Sequence, residues 1–142
     1  MHKFMRVFRD GVLPLIARLL ISTIFVTSAI SKSFGWEGNV EYMTSKHLTH
    51  ITILLSVALI VEALGSLSLI VGFGARIAAS VMFLYLIPVN VLLHDFMSTQ
   101  FEKNLGIMGG LLMIAAYGPG RISLSSWLRN SHVSRLINVS LL

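Results

Sequence analysis

Residues 54–72 read LLSVALIVEALGSLSLIVG, a single glutamate among eighteen apolar or small uncharged residues. A lone charge at the centre of a membrane helix costs at least about 2.5–3.5 kcal/mol, so Glu62 calls for a cation. Two arginines stand at suitable places: Arg18, inside the first apolar stretch, and Arg76, at the end of the GFGAR turn. Counted from the edge each shares with the arginine-rich side, Arg18 is about five residues deep and Glu62 about nine. At 1.5 Å per residue the two differ by roughly 6 Å in depth, within reach of an arginine side chain. The expectation is therefore an Arg18–Glu62–Arg76 cluster. Three readings stay open for it: an ion pair that fixes helix register, a carboxylate that relays protons or anchors a ligand, or a protonated Glu62.

A second group of polar residues gathers at the other end: Lys32, Asn90, His94, Asp95, Gln100, Lys103 and Asn104. One reading is a solvated rim, the usual fate of polar residues beside loops. The other is a pocket for a lipid headgroup or the carbonyls of a quinone, with Lys103 and His94 as donors. His94 and Asp95 are neighbours and point about 100° apart on a helix, so they form no ready-made pair. His47 and His50 are two histidines without a fixed acidic supporter, a weak metal signal. No metal site is expected. Haem is not expected either, because it needs histidines on facing helices at matched depth and only His94 approaches a span. With no cysteine the chain holds no disulfide and no thiolate site. An electron-transfer role would need a bound cofactor or quinone. GFGAR lacks the third glycine and the strand context of a nucleotide loop.

The elements that must position these groups follow from composition. The 142 residues are 55% hydrophobic and 12% charged, with a mean hydropathy of +0.81, against roughly 25% charged in soluble domains. Too little polar residue is left to cover a soluble bundle. Four stretches, about 13–31, 51–71, 75–93 and 101–118, approach the 20 or so residues that cross a bilayer. The expected fold is all-α, a single membrane domain over 1–142 built as an antiparallel bundle of four transmembrane helices. A short basic head, 1–12, precedes the first span, and a tail, 119–142, lies along the interface. The basic start resembles a signal peptide, but its apolar run is too long and Arg18 interrupts it, so it reads as a retained helix. Gly35 and Gly38 break the chain after the first span, leaving 33–50 as the longest loop. Pro88 predicts a kink in the third span. Gly106 and Gly110 have the spacing that lets helices approach closely.

The net charge of +5 is a topology signal. Lys3, Arg6, Arg9, Arg76, Arg121, Arg129 and Arg135 fall on one side, and only Lys32, Lys46 and Lys103 on the other. The positive-inside rule then places both termini in the cytoplasm. Nothing in this arrangement suits nucleic acid. Helical spacing aligns the scarce polar groups on one stripe per span: Arg18, Ser22, Phe25, Ala29 and Lys32; Ala58, Glu62, Gly65 and Leu69; Arg76, Ser80, Phe83, Ile87, Asn90 and His94; Gln100, Asn104, Met108, Leu111 and Ala115. With lipid outside, these stripes are expected to meet in a polar seam.

With these residues in place, the chain resembles the DoxX family of small four-helix bacterial membrane proteins over about 12–125. The resemblance rests on Arg18, Lys32 in SAISK, Glu62 and Gly65 in EALG, Arg76 in GFGAR, and His94-Asp95-Phe96. Its strongest block is KNLGIMGGLLMIAAYGPGRISL, 103–124. Ser28-Ala29, Met97 and Ser125 depart from the family's frequent Ser-Gly, Trp and Asp. The resemblance implies a bacterial inner-membrane location and a subunit of a quinone-linked oxidoreductase, with quinone and a partner oxidoreductase as partners. It brings no agreed catalytic residues. The competing expectation is a non-enzymatic module that binds lipid or another amphiphile, or scaffolds a partner. Transport is a third, which four short spans would support only in a homo-oligomer.

Overall fold

The computed structural model describes residues 2–96 and 98–130, and every regular element among them is helical. The first, α1 (His2–Val7), runs through a π-helical turn at Phe8–Val12 into α2 (Leu13–Phe34). The expected basic head is thus helix, and Met5–Phe34 forms one apolar rod. Pro14 falls inside this continuous helix; it has no N–H to give Asp10 O four residues back, and that carbonyl accepts the Arg121 N–H at 2.8 Å. Gly35 ends α2, as the sequence predicts. Gly38 breaks nothing: it lies inside α3 (Trp36–Ser45), a helix in what reads as loop.

The two central helices, α4 (Ile51–Val71) and α5 (Ala75–Leu93), match their expected bounds. Gly72 and Gly74 take φ of 73° and 61°, the left-handed conformation that glycine adopts without a Cβ clash, and so turn the chain within three residues. Pro88 lies within α5 without ending it. Ser98 caps α6 (Thr99–Tyr117), its hydroxyl accepting the Phe101 N–H at 3.2 Å. A short α7 (Leu124–Asn130) follows. Of the expected tail, only the portion up to Asn130 lies within the described residues.

Packing runs α2 on α4, α4 on α5 and α5 on α6, with α6 touching α2 again. The core between them holds Phe25, Leu69, Ala75, Ala79, Met82, Leu86, Ile107, Leu111 and Ile114. Gly65 lets α5 close in, since a Cβ there would collide with Met82; Gly110 does the same for Ile21. Gly106 faces open space, so the Gly106/Gly110 pair does not form a contact seam. The outside is apolar: Leu20, Ile53, Leu64, Leu84 and Val91 each expose 61–70% of their surface. Among the described residues three helices, Met5–Phe34, Ile51–Val71 and Ala75–Leu93, are long and apolar enough to cross a membrane.

The inward stripes of α2 and α4 are those the sequence predicts: Arg18, Ser22, Phe25 and Ala29, then Ala58, Glu62, Gly65 and Leu69. Those of α5 and α6 are rotated by about one residue. Ala75, Ala79, Met82, Leu86 and Asn90 are buried in α5, while Arg76 and Ser80 are exposed. The Ser80 hydroxyl donates to Arg76 O within its own helix, so it needs no polar interior.

Candidate functional site

Glu62 is buried at mid-helix, and its partner is Lys32. Lys32 Nζ donates to both carboxylate oxygens at 2.9 Å and to Ser28 Oγ at 2.5 Å, so its three N–H donors meet three acceptors. Tyr85 Oη on α5 donates to Glu62 Oε1 at 2.9 Å. Three helices therefore meet at one carboxylate. Its side chain is 5% exposed and that of Lys32 18%.

The expected Arg18–Glu62–Arg76 cluster does not form. Arg18, buried in α2, donates to Leu69 O at 3.2 Å and to Ile122 O at 2.5 Å. Leu69 O is one of the last four carbonyls of α4, which lack partners in their own helix. Arg18 thus caps α4, with its charge at the negative end of the helix dipole. The reason lies in side-chain direction. Cα–Cβ bonds tilt toward the helix N-terminus, which on α2 sends Arg18 away from Glu62 and brings Lys32 down one turn onto it. Depth along the axis is not the deciding quantity. Arg76 is exposed at the start of α5, its guanidinium lying against Gly118.

Above the Lys32–Glu62–Tyr85 group opens a cavity of about 620 Å³. Lys32, His94, Gln100, Lys103 and Asn104 all line it, together with Asn39 and Tyr42 from the α3 segment. Tyr42 Oη donates to Leu93 O at 2.6 Å, tying α3 to the end of α5. Phe25, Leu86 and Ile107 supply apolar wall. Ile24, Leu54, Val57 and Leu92 line the cavity and are also among the exposed apolar residues, so it opens sideways onto the outer apolar surface. Two expected members stand apart. Asn90 is buried, accepting from Asn104 Nδ2 at 3.2 Å and donating to Phe101 O at 3.4 Å, which pins α5 to α6. Asp95 turns outward to Lys46, with 3.2 Å between Oδ1 and Nζ. Burial, with Lys46 and Lys103 near, holds the His94 imidazole below its ordinary value of 6.5, against the opposing pull of Asp95.

The DoxX family model matches residues 13–95, a stretch that holds Lys32, Glu62 and Tyr85 together. The chain belongs to the DoxX family. Inner membrane protein YphA of Escherichia coli (strain K12) is 30% identical over 123 residues, covering 80% of this chain and 88% of that protein. Inner membrane protein YqjF of the same organism is 30% identical over 115 residues, 78% and 87% of the two chains. A model of the SURF4 family also matches residues 72–129. No solved structure matches. With several helices able to span a bilayer, this DoxX-family protein is a multi-pass inner-membrane protein. Sequence reasoning places Lys32 at the mouth and overlooks it as the partner of Glu62. Tyr85 it misses altogether. The available signal was spacing: Tyr85 lies one turn beyond the buried Met82, on the side of α5 that the predicted stripe leaves out.

Proposed function

We propose that the protein is a quinone-linked membrane subunit that holds a quinone head in the cavity above Glu62. The observation that carries this reading is one carboxylate bound at once by Lys32 and Tyr85, at the base of a cavity open to the apolar surface. The donor set fits the group. His94, Gln100 and Lys103 offer N–H donors to ring carbonyls. Leu86 and Ile107 suit a flat apolar ring, and the lateral mouth by Leu54, Val57 and Leu92 suits an isoprenoid tail. A bound quinone would supply a two-electron, two-proton couple. The chain would position it from the rim and hold a proton between Glu62 Oε1 and Tyr85 Oη, shielded from bulk water. Electrons would enter or leave through a partner oxidoreductase.

The topology that goes with this reading has four crossings, with α6 as the fourth and both termini in the cytoplasm. The seven-to-three split of basic residues supports it, as does the packing of α6 along α5. Single cysteines at Thr49 and Arg129, in a chain with none of its own, should label from opposite sides of the membrane.

The decisive experiment is mass spectrometry of small molecules extracted from protein purified in mild detergent. About one quinone per chain is expected, lost in His94→Ala and Lys103→Gln. The lateral mouth also admits other amphiphiles. Phospholipid alone in the extract, with quinol oxidation unchanged on deletion, would replace this reading with a lipid-binding module.

A further inference from the structure

The end of the bundle away from this cavity holds a second one, of about 820 Å³, that the quinone reading leaves unused. Among the described residues four guanidinium groups line it, Arg9, Arg76, Arg121 and Arg129, against the one carboxylate of Asp10. Four positive charges less one negative leave +3. Asp10 is already engaged, its Oδ1 accepting from Arg9 Nε at 2.9 Å. Among the described residues the side chains of Arg76, Arg121 and Arg129 have no hydrogen-bond or ion-pair partner.

Separate parts of the fold hold these arginines together. Arg76 stands in the first turn of α5, packed over Gly118. The Arg121 N–H donates to Asp10 O at 2.8 Å, a carbonyl in the π-helical turn. Arg129 belongs to α7, whose base is tied down by Ser125 Oγ donating to Gly72 O at 2.7 Å and Ser126 Oγ donating to Gly120 O at 3.0 Å. Like charges brought to one cavity from three places repel unless an anion joins them. Guanidinium forks match phosphate oxygens. Part of the lining is apolar: Leu13, Ala17 and Met113 line the cavity, and Leu13 and Met113 are also exposed on the outer apolar surface. A headgroup with a tail needs both kinds of lining, whereas a free ion needs only the arginines.

We propose that this cavity binds the phosphate ester of an anionic membrane phospholipid, with its acyl chain along Leu13, Ala17 and Met113. Phosphate is the chemistry recognised, and it could also come from the free ion. Basic pockets between membrane helices bind lipid headgroups by this combination of charge and groove.

The test titrates the full chain, in mild detergent, with phosphatidylglycerol, phosphatidylcholine or inorganic phosphate, read by native mass spectrometry. Phosphatidylglycerol should bind at least fivefold tighter than phosphatidylcholine, on the order of one arginine's contribution. The double variant Arg121→Gln/Arg129→Gln should weaken it about 25-fold, at about fivefold per arginine. Arg6→Gln, which removes the same charge outside the cavity, should change it less than about twofold. Thermal melts report whether each variant folds, and Arg76→Gln gives an independent reading from α5. Equal loss with Arg6→Gln, or equal binding of the two lipids, would overturn the site. Inorganic phosphate binding as tightly as the lipid would assign the cavity to the free ion and overturn the lipid.

Discussion

Removing the Lys32 ammonium should leave the Glu62 carboxylate with Tyr85 as its one hydrogen-bond donor, in a place where its side chain is 5% exposed. Breaking a buried ion pair from one side costs about 3–5 kcal/mol, because the remaining charge is stranded. A charge at membrane depth costs about 2.5–3.5 kcal/mol on insertion scales, so the two routes agree near 3 kcal/mol. Lys32→Met should therefore lower the free energy of unfolding by about 3 kcal/mol. For a chain of this length that is a fall of about 10 °C in Tm. Glu62→Gln keeps the shape and removes the charge, so in the double variant nothing is stranded and most of the loss should return. The coupling energy expected from the cycle is about 2–3 kcal/mol. Reversible unfolding in mixed detergent micelles, followed by circular dichroism, supplies the four free energies. Arg18→Met with Glu62→Gln serves as the contrast, because Arg18 bonds to Leu69 O and Ile122 O and not to Glu62. That pair should add within about 0.5 kcal/mol. Additive Lys32 and Glu62 effects, or strong coupling of Arg18 to Glu62, would refute the assignment.

Arg18→Met alone should destabilise by about 2–4 kcal/mol, since the buried Leu69 carbonyl and the part-buried Ile122 carbonyl lose their donor, while quinone retention is unchanged. Gly65→Ala should cost about 1–3 kcal/mol by overpacking against Met82, and Met82→Ala should relieve part of it; paired melts check both. His94 should make the protein less stable in mild acid. Its folded value lies below 6.5, so just below that pH the unfolded state binds more protons. Stability then falls as pH drops through about 6.5 and levels off below the folded value. His94→Gln should flatten the difference in Tm between pH 7.5 and 5.5.

The central hairpin was legible because its signals are local: two apolar runs of membrane length and the glycines of GFGAR give α4 and α5 to the residue. The cavity rim was legible too, since Lys32, His94, Gln100, Lys103 and Asn104 all sit at one end of their helices. What failed was rotation and direction. Polarity marks the inward face of α2 and α4, where Arg18 and Glu62 have partners across the bundle. It misleads on α5, where Ser80 bonds to its own backbone and Ala75 and Ala79 face inward because they are small. α3 escaped notice because Gly38 suggested a break, whereas it sits on an exposed helix face with open space around its Cα. The pairing of Glu62 turned on which way side chains lean along α2, information that depth alone omits.

Arg18 and Ile122 are 104 positions apart, and this separation governs the order of assembly. At a synthesis rate of about 5–20 residues per second, the acceptor on residue 122 emerges some 5–20 s after the donor enters the membrane. Until then the guanidinium has only the end of α4 to hold it. A nascent chain halted before Gly118 should be a substrate for membrane proteases, and release of the segment that carries Ile122 would be the event that locks the first helix in place.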